Sequence, residues 1–167
     1  IGQNVNSYGN KEEGELSFAE LLEQVNAVDG IDRIRFTTSH PKDLSNELID
    51  CFGRLDKLCK HLHLPVQCGS DNVLKAMNRG YTRQRYLEIV SRLHQVCPEI
   101  RLSSDIIVGF PGETEEDFLE SYNFIKDLDI SYLHVFTYSE RPNTLASEME
   151  DIVPVEERRR RNEMLRI

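Results

Sequence analysis

The sequence predicts an α/β fold, a partial (open) β/α barrel with parallel strands and outer helices. Segments rich in β-forming residues begin near positions 33, 61, 101 and 132, and a helix-like segment separates each from the next, as parallel strands require. Two of these strands alternate apolar and polar residues, whereas strands of a doubly wound sheet usually read as continuous apolar runs. Polar or glycine-rich residues follow each strand, at the edge where such folds bind ligands.

The first predicted helix covers residues 18 to 28. Ser17 and Glu20 have the spacing of a capping box, and apolar residues recur at helical spacing until Gly30. Such a pattern is typical of an amphipathic helix that packs one face on a core.

Two strand–helix pairs follow. Residues 33 to 40 are rich in β-forming residues and predict a strand, after which Pro41 turns the chain into a helix that Ser45 caps. A second strand is predicted over 61–67, followed by a turn and a short helix over 72–78.

The second half of the chain repeats the same alternation. A longer helix is predicted over 82–97, a strand over 101–110, a helix that Thr114 caps together with Asp117, and a last strand over 132–139. Each crossover helix carries an apolar face that can cover one side of a sheet.

The separation of apolar and polar side chains on opposite faces of the strands favours a barrel. A barrel whose interior holds a polar ligand places apolar side chains outward, against the helices, and polar side chains inward. The strand at 61–67 alternates in this way, because Leu62 and Leu64 lie on the face opposite His61 and His63. We therefore expect the following side chains to line the interior: Arg35, Thr37, Ser39, His61, His63, Gln67, Asp105, His134, Phe136 and Tyr138.

Several strand ends carry candidate binding segments. These are GQNVNSYG (2–9), TTSHP (37–41), PVQCGSD (65–71), VGFPGE (108–113) and TYSERPNT (137–144). Each is compatible with turn chemistry alone, but their coincidence on one edge favours a site. Asp105 interrupts an otherwise apolar strand and must find a partner or line a cavity.

Charges around these segments restrict the ligand. Glu113 and three further acidic residues occupy the start of the helix after VGFPGE, where they would repel a phosphate. A neutral or zwitterionic ligand is therefore expected. Arg79, in a turn after a strand end, can reach a carboxylate, although a solvated or structural arginine is an equal alternative.

Composition excludes several classes of protein. The chain has 167 residues, 39% of them hydrophobic, and a formal net charge of -9, which disfavours a basic nucleic-acid-binding module. No apolar run approaches the roughly 18 residues of a membrane span, so we expect a cytoplasmic protein with no membrane partner. The chain lacks an initiator Met and ends within a charged helix, so we expect a piece of a longer protein.

Cysteine and arginine patterns point to no site of their own. Cys51, Cys59, Cys68 and Cys97 lie 8, 9 and 29 positions apart, unlike zinc or iron–sulfur ligands, and we expect Cys51 and Cys97 to be buried free thiols. His61 and His63 share a strand face and could bind a metal ion together, but the sequence shows no third ligand for such a site. The arginine run 158–161 is predicted to be a solvated helix.

The motifs together resemble a known family. GQNVNSYG, RIRFTTSHP, HLHLPVQCGSDNVLKAMNRGYTR, SSDIIVGFPGETEEDF and HVFTYSERPNT are similar, in order and over nearly the whole chain, to the central part of the radical-SAM methylthiotransferases, most closely the MiaB type that modifies tRNA. The resemblance implies a TIM-type radical-SAM barrel, of which residues 1–167 form a fragment.

The resemblance also implies the chemistry. Such enzymes cleave S-adenosylmethionine (SAM) reductively to a deoxyadenosyl radical and add a methylthio group to C2 of an isopentenylated adenosine beside the tRNA anticodon. Their 4Fe–4S clusters are held by an amino-terminal domain and a CxxxCxxC segment, and a carboxy-terminal β domain grips RNA; all three are absent here. The implied partners are tRNA and an electron donor such as flavodoxin or ferredoxin. The fragment alone is expected to be inactive.

The resemblance assigns site residues by their position in the sequence. All of them are expected to bind the cofactor, and no residue of this chain is expected to be catalytic or to bind a metal. Gln3 and Asn4 correspond to contacts with the methionine amino group, Gln67 and Ser70 to contacts near the ribose, and Arg79 to a contact with the carboxylate. Ile107, Val108 and Gly109 correspond to the strand segment that packs on adenine, and Phe136 with Tyr138 to a contact from the last strand. Asp105, singled out above from the strand pattern, completes the predicted cofactor-binding set.

Alternatives remain open at this stage. Within the same superfamily, the substrate could be threonylcarbamoyl-adenosine in tRNA or a ribosomal-protein aspartate, although GQNVNSYG and TTSHP favour tRNA. In another class, the chain could be a non-catalytic α/β binding domain.

Overall fold

The computed structural model describes residues 4–9, 14–37 and 39–166. Its helices and strands are, in chain order, α1 (Phe18–Asn26), α2 (Asn46–Arg54), β1 (His61–His63), α3 (Asp71–Ala76), α4 (Arg83–Val96), β2 (Arg101–Val108), α5 (Glu115–Asp127), β3 (Tyr132–Thr137) and α6 (Val155–Leu165). Short 3₁₀ turns cover Val5–Ser7, Pro41–Asp43 and Leu145–Glu148. The strands form one open parallel sheet in the order β1-β2-β3, which confirms the predicted α/β class.

The chain divides into two compact units. The first consists of Ile1–Pro65 and Gln84–Ser103, and the second of Val66–Arg83 and Ser104–Ile167. Strand β2 contributes its first three residues to the first unit and the rest to the second.

The first unit packs helices α1, α2 and α4 around β1. His61 pairs with Arg101 at the start of the parallel ladder between β1 and β2, and Leu62 is fully buried. Tyr86 of α4 donates its hydroxyl hydrogen to the carbonyl of Leu64 at 2.8 Å. This bond satisfies a buried polar group at the point where the strand leaves the ladder.

The described residues between positions 33 and 40 do not form the predicted regular strand, so that prediction is wrong. Within the described residues, Ile34 makes a single parallel bridge with Leu58, and the next bond to β1 joins the Ser39 amide to the His63 carbonyl at 3.2 Å. Phe36, between them, packs against Phe18 and Phe52, with ring centroids 5.0 and 5.9 Å away. The β-forming residues here serve packing rather than a ladder.

Helix starts agree with the sequence prediction. Ser17 and Glu20 form both bonds of a capping box at α1, and Thr114 and Asp117 form both at α5. Ser45 accepts a hydrogen bond from the Leu48 amide at the start of α2. The end of α1 is less well predicted, because the helix stops at Asn26 rather than at residue 28.

In the second unit, strands β2 and β3 present one face to helices α5 and α6. Ile106 and Val108 are buried in a cluster with Phe118 of α5 and Leu165 of α6, and Leu133 and Val135 of β3 pack on the same cluster. His134 is exposed between two residues of that buried face, as the predicted alternation requires.

Helix α6 is not the solvated helix that its arginine run predicts, and that prediction is wrong. Arg158 and Arg161 are both only 4% exposed. Arg161 donates to the carboxylate of Glu113 at 2.6 Å, and Arg158 donates to Glu140 at the same distance. Opposite charges supplied by distant segments make the burial of these two guanidinium groups tolerable.

The cysteines are free thiols, and Cys51 and Cys97 are buried as predicted. No helix in the described part of the chain is long and apolar enough to cross a membrane.

Candidate functional site

A cavity of about 720 Å³ opens in the second unit, at the ends of β2 and β3. This volume lies within the range of small-molecule and cofactor sites, about 300–1,000 Å³. The residues that line it are Gln67, Ala76, Met77, Asn78, Arg79, Asp105, Ile107, Phe110, Phe136, Thr137, Tyr138, Ser139, Arg141, Thr144, Leu145 and Ala146.

The cavity brings together much of the predicted cofactor-binding set. The predicted residues that line it are Gln67, Arg79, Asp105, Ile107, Phe136 and Tyr138. Four of these also belong to the predicted polar interior, namely Gln67, Asp105, Phe136 and Tyr138. Because they come from separate segments of the chain, the fold rather than local sequence places them side by side.

Gln67 reaches the cavity through an unusual backbone conformation. Its φ is +68°, in the left-handed region that non-glycine residues rarely adopt. Hydrogen bonds of 2.9 Å hold it there, from its amide to the Asp105 carbonyl and from the Ile107 amide to its own carbonyl. Backbone strain held by surrounding bonds is typical of binding sites, and Gln67 lines the cavity in this conformation.

Arg79 lies in the turn that follows α3. Asn78 and Gly80 on either side have φ values of +54° and +69°, and the Arg79 amide donates to the Leu74 carbonyl at 3.0 Å. Its Nε is buried and has no hydrogen-bond partner among the described residues. A buried guanidinium N–H without a partner is costly, so this donor fits an anionic ligand group such as a carboxylate.

Tyr138 forms the opposite wall at the end of β3. Its amide donates to the Val108 carbonyl at 2.9 Å, and its ring meets that of Phe110 edge-on, with centroids 5.4 Å apart. Within the described part of the chain, its buried hydroxyl has no hydrogen-bond partner. Two residues of the cavity lining, Arg79 and Tyr138, thus each carry a buried polar atom without a partner among the described residues, and polar groups beside apolar walls are typical of a small-molecule site.

Three predicted residues near the cavity do not line it. Val108 is fully buried toward the helices. Gly109 has φ of +74°, and its amide donates to Glu113 at 2.6 Å. Ser70 is buried and donates its hydroxyl hydrogen to Asp117 at 2.6 Å, which leaves that hydroxyl engaged with the protein.

One further predicted residue, Asn4, belongs to the first unit. Asn4 donates its side-chain amide to the Asp43 carboxylate at 2.6 Å, whereas Gln3 lies outside the described residues. Asn6, which the sequence analysis did not single out, is buried and makes two 3.0 Å bonds with the backbone of His40. It ties the segment before α1 to the turn before α2.

Two of the three histidines predicted for the interior, His61 and His63, are engaged within the first unit. His61 lies 3.4 Å from the Arg35 guanidinium, and burial lowers its pKa, with a further contribution from the charge of Arg35. His63 lies 3.1 Å from the Ser103 hydroxyl. Among the residues that the structure describes, no three His, Cys, Asp or Glu side chains are grouped to hold a metal ion.

Beneath the cavity wall lies a hydrogen-bonded network of buried groups. Ser121 accepts from the Gly69 amide at 3.0 Å and donates to the Asp117 carbonyl at 2.9 Å. Burial acts to raise the pKa of Asp117, but bonds from Ser70 and Thr114 outweigh it and lower that pKa below its usual value. Burial raises the pKa of Cys68 to about 11, so this thiol is unreactive at neutral pH.

The residues that sequence reasoning missed lie mainly in the loop after β3. Ser139, Arg141, Thr144 and Leu145 all line the cavity. The TYSERPNT segment was singled out as a strand end, but loop conformation decides which of its side chains face the site. Met77, from the end of α3, packs as a helical core residue would and showed no separate signal.

A family model and a solved structure both match this chain. The model of the Radical SAM superfamily matches residues 2–125. Coproporphyrinogen III oxidase from Escherichia coli, described as a radical SAM enzyme, superposes with a TM-score of 0.61 at 18% identity, covering 72% of this chain and 28% of that one. The likeness confirms the predicted partial-barrel fold.

Curated relatives are much closer in sequence. The chain is 60% identical over 156 residues to the tRNA-2-methylthio-N(6)-dimethylallyladenosine synthase of Syntrophotalea carbinolica, covering 93% of this chain and 36% of the relative. Enzymes of the same name from Geobacter metallireducens and Clostridium botulinum are 58% and 50% identical, over 90% and 96% of this chain and 34% and 36% of theirs. The chain thus spans about a third of these relatives. From the family match, this chain belongs to the Radical SAM superfamily.

Proposed function

We propose that this chain is part of a tRNA methylthiotransferase that adds a methylthio group to C2 of isopentenylated adenosine next to the anticodon. Its second unit supplies part of the wall that binds SAM. The observation that carries this proposal is the cavity, whose lining includes apolar residues together with Arg79 and Tyr138, each with a buried polar atom that has no partner among the described residues. Relatives at 50–60% identity carry the matching enzyme name.

The residues present fit SAM. The donor set of Arg79 suits the carboxylate of the methionine part, because a guanidinium binds carboxylates strongly. Ile107 and Phe136 supply an apolar surface for a flat adenine ring. Gln67 and the Tyr138 hydroxyl can bond the polar edges of a nucleoside.

In this proposal, the residues of the chain bind and orient SAM and do not transfer protons. When bound, SAM supplies the methyl group and, with an electron from a 4Fe–4S cluster, the radical chemistry of the superfamily. Arg79 fixes one end of the ligand and the walls formed by Ile107 and Phe136 hold the other. Leu145, in the loop after β3, also lines the cavity. The cluster ligands and the main tRNA contacts belong to regions other than this chain. The electron donor is a separate protein such as flavodoxin or ferredoxin, and the protein acts in the cytoplasm.

The cavity is tested by SAM binding to the full-length enzyme. Arg79→Ala is expected to weaken binding by about 1–3 kcal/mol, the usual loss for a hydrogen bond to a charged group. Lys75→Ala is the matched control, because Lys75 is an exposed cation on the same segment that does not line the cavity. An unchanged dissociation constant for Arg79→Ala would remove Arg79 from the site.

The substrate is tested by mass spectrometry of tRNA nucleosides from a deletion strain. Loss of the methylthio group from isopentenylated adenosine, with restoration by the wild-type gene, is the expected result. Loss from threonylcarbamoyl-adenosine alone, or from a ribosomal-protein aspartate, would replace the substrate proposed here. A full-length protein that neither binds nor cleaves SAM would favour a non-catalytic domain.

A further inference from the structure

Arg158 of α6 uses all three nitrogens of its guanidinium group to bond two segments of the second unit. Its Nε donates to the Val153 carbonyl at 2.7 Å, its Nη1 to the Tyr138 carbonyl at 2.9 Å, and its Nη2 to Glu140 at 2.6 Å. The side chain is 5% exposed and is not among the residues that line the cavity.

The same side chain stacks on Tyr138. The guanidinium carbon lies 5.3 Å from the centroid of the tyrosine ring, within the range of a cation–π contact. Arg158 therefore holds Tyr138 through both the backbone carbonyl and the ring.

The stem of Arg158 packs against Gly109, at the end of β2. A Cβ atom on Gly109 would lie only 2.3 Å from the Arg158 Cγ. Arg158 thus contacts the ends of both β2 and β3, and the Tyr138 amide bonds the Val108 carbonyl between them. Tyr138 is fixed on three sides: by Arg158, by Val108 and by the edge-on ring of Phe110.

These contacts engage the backbone and the ring of Tyr138 but not its hydroxyl. Tyr138 lines the cavity, and its hydroxyl is buried and has no partner among the described residues. A buried hydroxyl without a hydrogen-bond partner is costly unless a ligand supplies that partner. Rigid support of the tyrosine improves binding, because less side-chain freedom is lost when the ligand binds.

We propose that Arg158 is a positioning residue that sets the Tyr138 hydroxyl to donate a hydrogen bond to the bound ligand. The inference rests on the proposed function, since that ligand is taken to be SAM. Arg158 touches no ligand itself and acts through Tyr138.

The test is a double-mutant cycle on the full-length enzyme with its cluster reconstituted. The dissociation constant of SAM is measured by equilibrium dialysis without reductant, so that no turnover takes place. Tyr138→Phe and Arg158→Gln are each expected to weaken SAM binding about tenfold, the loss of one well-placed hydrogen bond. In the Tyr138→Phe background, Arg158→Gln is expected to cost less than threefold, because the two residues act as a unit.

Two further variants keep the test decisive. Arg158→Lys retains the charge and the stem over Gly109 but loses the planar fork and the stacking on Tyr138, so we expect SAM binding about three- to fivefold weaker, and this variant completes the cycle if Arg158→Gln does not fold. Arg160→Gln removes a cation from the same helix that pairs with Glu157 and Glu115. We expect it to leave SAM binding unchanged.

The outcomes separate the two proposals. If Tyr138→Phe weakens SAM binding but both Arg158 variants bind as the wild type does, the positioning role is overturned while the SAM site stands. A loss for Arg158 that is equally large with Phe at position 138 also overturns it. If neither Tyr138→Phe nor Arg79→Ala changes SAM binding, the proposed cavity itself fails, and the inference fails with it.

Discussion

Arg161 and Glu113 form a buried ion pair, with 2.6 Å between the guanidinium Nη1 and the carboxylate Oε2. Their side chains are 5% and 1% exposed. The same carboxylate oxygen accepts the Gly109 amide at 2.6 Å, so the pair joins α6 to the turn between β2 and α5. Burial acts to raise the pKa of Glu113, and the bonds from Gly109 and Arg161 oppose that rise.

Removing one member of this pair should be costly. Arg161→Ala leaves a buried carboxylate without its counter-ion, and we expect the free energy of unfolding to fall by about 3–5 kcal/mol. The neighbouring Arg160→Ala removes a cation that is 43% exposed, with an expected loss of at most about 1 kcal/mol. Urea denaturation of both variants checks this, and equal losses would contradict the assigned role of the buried pair.

A second prediction concerns Gly109. Gly109→Ala combines a φ of +74° with a Cβ that would meet the buried stem of Arg158, and we expect a loss of about 2–4 kcal/mol, from strain and overpacking. Gly112→Ala has similar strain, with φ of +82°, but no atom lies within 4 Å of its added Cβ. We expect about 1 kcal/mol there. Thermal melting compares the two, and a Gly112 loss as large as that of Gly109 would mean that contact with Arg158 does not matter.

A third prediction concerns the acid stability that Asp117 provides. Its folded pKa lies below the usual value, so its contribution is complete above about pH 4 and is lost as the pH falls through the folded pKa. We expect wild-type protein to lose more stability than Asp117→Asn between about pH 5 and pH 3. Glu116→Gln, which removes an exposed carboxylate from the same helical turn, should keep the wild-type slope. Parallel slopes for wild type and Asp117→Asn would show that Asp117 titrates normally.

A fourth prediction concerns thiol reactivity. Burial raises the pKa of Cys68 to about 11, and Cys68 is fully buried whereas Cys59 is partly exposed. Treatment of the native protein with iodoacetamide near pH 8 should label Cys59 well before Cys68, because the thiolate is the reactive form. Peptide mapping by mass spectrometry follows both sites, and early labelling of Cys68 would contradict the burial assigned to it.

Local sequence predicted the elements whose signals are local. The capping boxes of α1 and α5 need only Ser17 with Glu20 and Thr114 with Asp117, three residues apart, and both formed as predicted. Residues 33 to 40 carry β-forming residues, yet Phe36 is used in ring contacts. Propensity could not show this, since tertiary packing decides how such residues are used.

The arginine run 158–161 shows that local sequence also does not determine which charged side chains are buried. Sequence shows four arginines with acidic neighbours, and a solvated helix is the usual outcome for such a run. Which of the arginines are buried depends on Glu113 and Glu140, 48 and 18 positions away. No short-range pattern carries that information.

The candidate site divides along similar lines. Gln67 follows β1, Arg79 lies in the turn after α3, and Phe136 is near the end of β3. The topology of parallel strands brings such positions to one edge, so their place could be predicted. Arg141 and Leu145 lie in a loop whose conformation local sequence does not determine. The engagement of the Ser70 hydroxyl by Asp117 is a long-range contact of the same kind.

The central claim is that the cavity at the ends of β2 and β3 holds SAM. A crystal structure of the full-length enzyme with SAM tests it most directly. We predict the carboxylate of the ligand at Arg79, its adenine against Ile107 and Phe136, and a hydrogen bond from the Tyr138 hydroxyl. A ligand bound elsewhere, with Arg79 and Tyr138 unchanged and unoccupied, would contradict the account.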